Sequence, residues 1–289
     1  MSEPIARAHP AQQRPTAWAR ARRNATLVAG SLIVGGFVLL AIIGPAIAPY
    51  GPNEQNLLAT LRGPSAEHWF GTDHIGRDVL SRVLVGTRPS LLVCLASVLF
   101  GALVGIPLGV LAGYFGGRVE TLVTAAVDVM LTIPAIVLAI AIVSVIGPGL
   151  EGLVVAIAVS FAPRIARITR GAVLDIRQEE YVTSSVALGA RTPRVLLWHV
   201  LPNVSAPLTV ELTLLAGQAV LVAAALGFIG LGVQPPSPEW GTMLSRGKDY
   251  LAVAPHVVTA PGLAIALLVL GFNLFGDGLR DAWDPKLRR

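Results

Sequence analysis

Six long apolar runs dominate this sequence of 289 residues and restrict the folds that it can adopt. A helix of about 20 apolar residues crosses the hydrocarbon core of a bilayer, which is about 30 Å thick. Charged residues make up only 13% of the chain, whereas roughly 25% is usual in a soluble domain. We therefore predict an all-α polytopic membrane protein with six transmembrane helices, over residues 27–48, 90–114, 122–146, 150–166, 204–230 and 256–275.

The segments outside these runs predict the rest of the organisation. Residues 1–24 are rich in Arg, Ala, Pro and Gln and have no periodic apolar pattern, which predicts a disordered tail. The first run is longer than the roughly 7–15 apolar residues of a secretory signal, which favours an uncleaved helix. We expect a tail over 1–24, a first transmembrane helix over 25–50, an external loop with an amphipathic helix over 51–88, a five-helix core over 89–278 that includes a polar loop over 170–203, and a tail over 279–289.

The arginine and lysine residues predict the orientation of these helices. Cytoplasmic segments of membrane proteins carry an excess of these two residue types. With the N-terminus inside, most of the 22 arginines and lysines fall in segments on the inner side. We therefore predict that both termini and the loop 170–203 face the cytoplasm.

The polar loop contains the most informative string of the chain, YVTSSVALGARTPRVLLWHVLP, over residues 181–202. A short helical pattern ends at Gly189, nine residues follow, and the string closes on His199, Val200, Leu201 and Pro202. This spacing resembles the cytoplasmic coupling loop of the integral-membrane subunits of bacterial ABC importers. Thr183, Ser184 and Ser185 stand where that family usually has Glu-Ala-Ala.

The resemblance implies that this loop docks on a separate ATPase subunit. Gly189 would end the short helix at a turn that a side chain would obstruct. The absent Glu removes a salt bridge from its position but not the docking itself. The residues expected to couple to the ATPase are Tyr181, Val182, Thr183, Ser184, Ser185, Leu188, Gly189, Ala190, Arg191, His199 and Pro202.

Three further strings narrow the resemblance to one subgroup. They are Gly-Thr-Asp-x-x-Gly-Arg-Asp-x-x-Ser-Arg over 71–82, Gly-Leu-Gly-Val-Gln-Pro-Pro-x-Pro-Glu-Trp-Gly over 230–241, and FNLFGDGLRDAWDP over 272–285. All three resemble the C-type permease subunits of dipeptide, oligopeptide and nickel importers, and dipeptide permeases most of all. The likeness covers nearly all of the chain after residue 57 and implies the type I ABC importer permease fold.

The first external string predicts an amphipathic helix that lies on the outer membrane surface. Ile75, Val79 and Val83 recur every four residues, and Thr72 or Asp73 can cap a helix over part of 68–91. This helix is either a structural element of the interface or a contact with an external substrate-binding protein. The residues expected at such a contact are Asp73, Arg77, Asp78 and Trp240.

A stripe of small residues runs along the second span. Gly101, Gly105, Gly109, Gly113 and Gly117 recur every four residues and fall on nearly one face of a helix. Small residues at this spacing let another helix approach closely. The stripe therefore packs either within this chain, or against a partner permease or the substrate pathway.

Asp128 and Glu211 lie well inside apolar runs. A carboxylate at membrane depth is costly, so it usually faces water or a partner. Both residues are candidates for lining a substrate pathway, and an ion pair with an arginine is the alternative explanation.

No catalytic or nucleotide-binding motif stands out. The sequence has no P-loop, since its only Gly-Lys pair, Gly247-Lys248, is followed by Asp249. It has no metal-ligand spacing, and its single cysteine, Cys94, lies in an apolar run. The net charge of +5 is explained by arginines beside the membrane rather than by binding to nucleic acid. We expect no enzyme activity and no cofactor in this chain, and the resemblance implies that ATP and Mg bind to partner subunits.

The resemblance implies a permease subunit in the inner membrane of a bacterium, forming half of the path for dipeptides or short oligopeptides. Its implied partners are a homologous permease subunit in a heterodimer, two ABC ATPase subunits, an extracytoplasmic peptide-binding protein and membrane lipid. A nickel importer of the same family is the nearest alternative. A stand-alone channel or secondary transporter is the alternative from another class.

Overall fold

The computed structural model describes residues 24–283, which are almost entirely helical. The predicted tail over 1–24 falls outside the described residues except for its last residue. The α-helices are α1 (Ala25–Ile47), α2 (Val79–Phe115), α3 (Gly117–Thr132), α4 (Ala135–Ile146), α5 (Leu150–Arg177), α6 (Glu180–Ala187), α7 (Thr192–Val195), α8 (Leu201–Phe228), α9 (Trp240–Gly247) and α10 (His256–Trp283). Short 3₁₀ turns cover Leu57–Ala59 and Lys248–Tyr250, and a π-helical turn, Leu196–Val200, joins α7 to α8.

The number of candidate spans agrees with the prediction of six. Five stretches of helix are long and apolar enough to cross a membrane, and α3 with α4 makes a sixth if the bent pair counts as one span. The prediction of one straight helix over 122–146 is wrong, because α3 and α4 meet at an angle of 90°. Pro134 disfavours helical geometry at the residue before it, and Ile133 accordingly has an extended backbone, with φ −90° and ψ 126°.

The segment before the second span, predicted to be external, also differs from its prediction. No separate surface helix forms over 68–91. Instead α2 begins at Val79 and runs for 37 residues into the apolar part of the chain. Asp78 caps it, since its Oδ2 accepts hydrogen bonds of 2.7 Å from both the backbone N–H and the hydroxyl of Ser81. The last ten residues of the predicted loop 51–88 therefore belong to a long helix.

Two helices extend beyond the predicted ends of their spans. The fourth span was predicted to end near residue 166 after an interruption at Pro163, but α5 continues through Pro163 to Arg177. A proline inside a helix removes one backbone hydrogen bond, and close packing of α5 on α2 offsets that loss. Similarly, α10 continues to Trp283, so residues 279–283 of the predicted tail are helical, and 284–289 lie outside the described residues.

Contacts between helix ends define two ends of the body. At one end the guanidinium of Arg177 donates to the carbonyl of Tyr114, 2.9 Å away, and Asn24 donates to Gly278. At the other end the ring of His256 lies 3.1 Å from the carbonyl oxygen of Thr72. We call the first the basic end, because the helices α5 and α10 end there with Arg177 and Arg280 in their last turns, and the second the opposite end.

The glycine stripe packs inside this chain. A Cβ atom at Gly105 would lie 2.6 Å from the carbonyl oxygen of Ala162, and one at Gly109 would lie 2.5 Å from that of Ala166. Such distances leave room only for glycine, so the backbones of α2 and α5 touch in register. Gly117 takes no part, because it begins α3 and has no atom within 4 Å of its Cβ position. Of the two interpretations, packing within the chain is the one observed.

Candidate coupling and pathway sites

The segment that resembles a coupling loop forms a short helix at the basic end. α6 follows α5 after only two residues and ends at Ala187. Gly189 then has φ +85°, its N–H donates to Val186 O at 2.9 Å, and the N–H of Ala190 donates to Ser185 O at 3.1 Å. These bonds close the helix with a left-handed glycine, so the predicted helix end at Gly189 is observed. No atom lies within 4 Å of its Cβ position, so the predicted obstruction of a side chain is wrong, and the backbone conformation is what favours glycine.

One side chain fixes α6 to the helical body. Val182 is only 1% exposed and belongs to a cluster of buried apolar side chains from α2, α5, α7, the π-helical turn and α8. The other members of the cluster are Val110, Val173, Val195, Val200, Val204 and Leu208. Val182 therefore anchors α6 on the helical body.

The rest of α6 and its turn is open to solvent. Leu188 is 89% exposed, and Ser185 and Ala190 are half-buried. Burial and the negative charge of Glu179 raise the pKa of the Tyr181 hydroxyl, which keeps it a neutral hydrogen-bond donor. The other exposed members of the predicted coupling set are Thr183, Ser184, Gly189, Arg191 and Pro202.

The π-helical turn after α7 adds residues that the sequence analysis missed. Trp198 is 71% exposed and Leu197 is 61% exposed, on a turn type that is frequent at functional sites. The half-buried His199 lies beside them, with its ring 6.3 Å from that of Tyr181. The sequence feature that could have identified Leu197 and Trp198 is an apolar pair inside a polar loop, between Arg194 and His199.

The two carboxylates inside apolar runs each pair with an arginine of α5. Asp128 Oδ1 lies 2.5 Å from Arg167, and Glu211 Oε1 lies 2.7 Å from Arg164. A third pair joins Glu120 of α3 to Arg170. The ion-pair alternative is therefore observed. The sequence analysis did not assign these partners, although arginines at 164, 167 and 170 recur at the spacing of one helix face.

The residues predicted to contact an external binding protein lie at the opposite end, and all four are buried. Asp73, Arg77, Asp78 and Trp240 are at most 4% exposed. Their side chains therefore form internal contacts and do not present a docking surface, which corrects the prediction. The sequence pattern could not reveal this burial, because it depends on contacts with distant parts of the chain.

The charged members of this group form what we call the opposite-end network. Asp73 Oδ2 accepts 2.7 Å hydrogen bonds from two nitrogens of Arg77. Arg82 Nε lies 3.8 Å from the same oxygen and donates through Nη1 to the carbonyl of Pro52 at 2.6 Å. Asp78, besides capping α2, lies 2.9 Å from the ring nitrogen of His68. The network fastens the loop before α2 to the start of that helix.

The string over 230–241 packs on the same end. The indole N–H of Trp240 donates to the carbonyl of Val83 at 3.1 Å, and the ring meets Phe37 of α1 edge to face at 5.7 Å. Trp240 is thus a core residue that joins α1, α2 and α9, rather than an interfacial residue.

Glu239 is a further residue that the sequence analysis missed. Its carboxylate caps α9 by accepting hydrogen bonds from Gly241 N at 2.7 Å and Thr242 N at 2.9 Å. Burial raises the pKa of this carboxyl, while the bonds from Gly241 and Thr242 oppose the rise. The signal was present as an acidic residue directly before a short helix.

Within residues 24–283 no group of three or more His, Cys, Asp or Glu side chains is placed to hold a metal ion. Cys94 is buried, with its sulfur 3.1 Å from the carbonyl oxygen of Ala216.

Comparison with known proteins assigns this arrangement of helices to a family. Residues 105–289 match the family described as binding-protein-dependent transport system inner membrane component, and residues 14–64 match the N-terminal TM domain of oligopeptide transport permease C. The chain therefore belongs to the family of inner-membrane permease subunits of binding-protein-dependent transport systems, which are ABC importers.

Particular relatives are similar over almost their whole length. The chain is 48% identical to the di/tripeptide transport system permease protein DppC of Pseudomonas aeruginosa, over 94% of this chain and 91% of that protein. It is 44% identical to the dipeptide transport system permease protein DppC of Alkalihalophilus pseudofirmus, over 94% and 90%. A solved structure, the inward-facing MetNI methionine ABC transporter, superposes with a TM-score of 0.58 at 22% identity, over 70% of this chain and 97% of that chain. That likeness confirms the type I ABC importer permease fold.

Proposed function

We propose that this permease subunit forms half of the translocation pathway for dipeptides or short oligopeptides in an ATP-driven importer. The names of its relatives support this substrate class over nickel, since both are peptide transport systems. In this proposal a homologous permease subunit supplies the other half of the pathway, and an extracytoplasmic peptide-binding protein delivers the substrate. Two ATPase subunits bind ATP and Mg, and lipid surrounds the spans.

The observation that carries the coupling role is the contrast within α6. Val182 is buried in a cluster with side chains of α5 and α8, whereas Val186 and Leu188 are exposed, at 50% and 89%. With Leu197 and Trp198 they leave several large apolar side chains of this segment open to solvent. A group of exposed apolar side chains is typical of an interaction surface, whereas a single one is not. When the ATPase subunits close on ATP, α6 would move with its ATPase and tilt α5 and α8. The pathway would then switch from facing inward to facing outward, and hydrolysis would reset it.

The proposal also fixes the orientation. The basic end faces the cytoplasm of a bacterium, where ATP is present, and both termini lie on that side. The count of arginine residues supports this orientation. In intact cells a cysteine introduced at position 188 should resist a maleimide that cannot cross the membrane, and it should react once the cells are opened and the ATPase subunits are stripped from the membranes. The native Cys94 is 0% exposed, so its background labelling will be low.

The direct test of coupling is Gly189→Val in the assembled importer. The backbone of Gly189 has φ +85°, a conformation that a β-branched residue adopts only with strain, so the end of α6 must rearrange. We expect dipeptide uptake and substrate-stimulated ATPase activity to fall together. The control is Gly35→Val in α1, where no atom lies within 4 Å of the Cβ position. Normal uptake and normal ATPase activity in Gly189→Val would show that the coupling assignment is wrong.

A further inference from the structure

The arginines of α5 carry charge deep into the membrane-spanning body. α5 has 28 residues, so at 1.5 Å per residue Arg164 lies about 20 Å from either end. Arg167 lies about 15 Å from the basic end by the same rise. The hydrocarbon core of a bilayer is about 30 Å thick, and α5 is about 12 Å longer than that. Even if this excess lies wholly at the basic end, Arg164 and Arg167 are attached to α5 within the core.

These deep charges are nevertheless open to the surroundings. The side chains of Arg167 and Asp128 are 56% and 52% exposed, and that of Arg164 is 42% exposed. A charge that faces lipid at the centre of a membrane costs about 2.5–3.5 kcal/mol or more. Apolar side chains cover a different face, such as Leu32 and Ile42 of α1, at 71% and 72% exposure. The face that carries the ion pairs must therefore meet water or protein, whereas the α1 face suits lipid.

The surroundings of the pairs are polar as well as open. Arg164 also donates to the side-chain oxygen of Gln218, 3.1 Å away on α8. A cavity of about 170 Å³ beside Asp128 and Arg167 is also lined by Thr124, whose hydroxyl has no hydrogen-bond partner among the described residues. A cavity of this size with unmet polar atoms has room for water, which is the environment of an aqueous path.

We propose that the neighbouring pairs Asp128–Arg167 and Glu211–Arg164 form a weak transit site for the two charged ends of a short peptide. This inference rests on the proposed function and adds the residues that recognise the substrate in the membrane. The peptide carboxylate accepts hydrogen bonds from Arg167, and the peptide ammonium donates to Glu211. The ligand class is a zwitterionic peptide with free ends.

Both groups have hydrogen-bonding capacity to spare. A guanidinium has five N–H donors, and the described contacts of Arg167 use one of its nitrogens, on Asp128. Glu211 contacts Arg164 through Oε1, which leaves Oε2 free to accept from an ammonium. The peptide can therefore bind without breaking either ion pair.

The two pairs start from one face of α5. Arg164 and Arg167 stand three positions apart on that helix, which places their Cβ atoms about 5–6 Å apart. Each protein charge is already paired when the path is empty, so no lone charge is left at membrane depth. Binding by such satisfied groups is weak, and a substrate in transit must also be able to leave.

The experiment uses the complete importer, with its second permease, ATPases and binding protein, reconstituted in lipid vesicles, and dialanine as the probe. The variant Asp128→Leu with Arg167→Met replaces the pair by apolar side chains, which can hold α3 against α5 without leaving one charge unpaired. We expect the maximum uptake rate to fall at least about tenfold, the change that corresponds to about 1.4 kcal/mol. The complex should still assemble and hydrolyse ATP.

Two controls separate recognition from structure. Glu120→Gln removes the acidic charge of a similar pair between the same two helices but keeps Arg170, which lines the cavity beside Asp128. Because Glu120 is less exposed, at 29%, most of the uptake should remain. Arg167→Lys keeps the positive charge and should also retain most of the uptake. Unchanged uptake in the Asp128/Arg167 variant would overturn the transit site. Loss of the second permease from that variant would also overturn it, because the pair would then be a subunit contact. A wild-type complex without ATP-dependent uptake would instead refute the proposed function.

Discussion

The two ends of the helical body carry the most recognisable strings of the sequence and use them in opposite ways. At the basic end Leu188 is 89% exposed, and only Val182 of α6 is buried. At the opposite end Asp73 and Arg77 are each 4% exposed and bond to each other. A string that marks a family can thus lie open to solvent or form an internal framework, and only the structure distinguishes the two.

The difference has a physical basis in how each end is held together. α6 is held by its buried Val182, and in the proposed coupling role its exposed side chains would bind an ATPase. The loop before α2 contributes Leu61 to a small apolar cluster, and buried hydrogen bonds and ion pairs hold the rest of its backbone. Changes at the opposite end should therefore affect stability first, whereas changes at the basic end should affect coupling first.

The largest expected effect is at the opposite end. Asp73→Ala leaves Arg77 and Arg82 buried without their carboxylate, and breaking a buried pair by removing one partner costs about 3–5 kcal/mol. We expect a clear fall in the melting temperature of the detergent-solubilised complex. Glu180→Ala, at an exposed position of α6, is the control and should change stability by less than about 0.5 kcal/mol. Equal melting temperatures for the two variants would remove the distinction between the two ends.

A smaller effect is expected from the cap of α9. Glu239→Ala removes the acceptor of the Gly241 and Thr242 N–H groups, and losing such a cap costs about 0.5–2 kcal/mol. The measurement is again thermal unfolding of the assembled complex. The matched change is Glu67→Ala, an exposed residue of the loop before α2, which should be nearly neutral. If Glu67→Ala destabilised the complex more than Glu239→Ala, the cap would not be the stabilising feature.

The smallest effect is a pH dependence at the opposite end. Burial lowers the pKa of His74 below its ordinary value of 6.5. The positive charges of Arg77, Arg82 and Arg246 lower the pKa further, and the negative charge of Asp73 opposes the shift. The unfolded state therefore binds the proton of His74 more readily than the folded state does. The contribution of His74 to the free energy of unfolding is complete above pH 6.5 and declines as the pH falls below that value.

His74→Phe tests this dependence, because it keeps an aromatic ring against Tyr250, which stacks on His74 at 5.5 Å. The wild-type complex should lose more of its melting temperature than the variant between pH 8 and pH 5.5. Parallel pH profiles would show that His74 does not contribute.

The sequence predicted the parts of the fold that depend on local pattern. Apolar runs located the spans, and the requirement for a left-handed residue located the end of α6 at Gly189. The bend at Pro134 was missed because a proline in an apolar run has no single outcome: Pro107 and Pro163 lie inside continuous helices, whereas α3 and α4 meet at 90°. Packing around each proline, which the sequence does not show, decides the result.

The candidate sites, like the fold, were predictable only where they depend on a local sequence pattern. The exposed face of α6 follows from a short polar helix between spans, which is a local pattern. The burial of Asp73 and Trp240 depends on partners distant in the chain, such as Val83 for Trp240, and no spacing rule predicts that contact. The arginine partners of Asp128 and Glu211 lie on a third segment of the chain, so the sequence indicated a need for partners without naming them.

The central claim is that the exposed face of α6 is covered by an ATPase subunit in the working importer. Leu188→Cys provides the most direct measurement, since this position is 89% exposed in the chain alone and the native Cys94 is buried. A maleimide should label position 188 rapidly in complexes stripped of their ATPase subunits and slowly in intact complexes. Equal labelling rates in the two preparations would contradict the account.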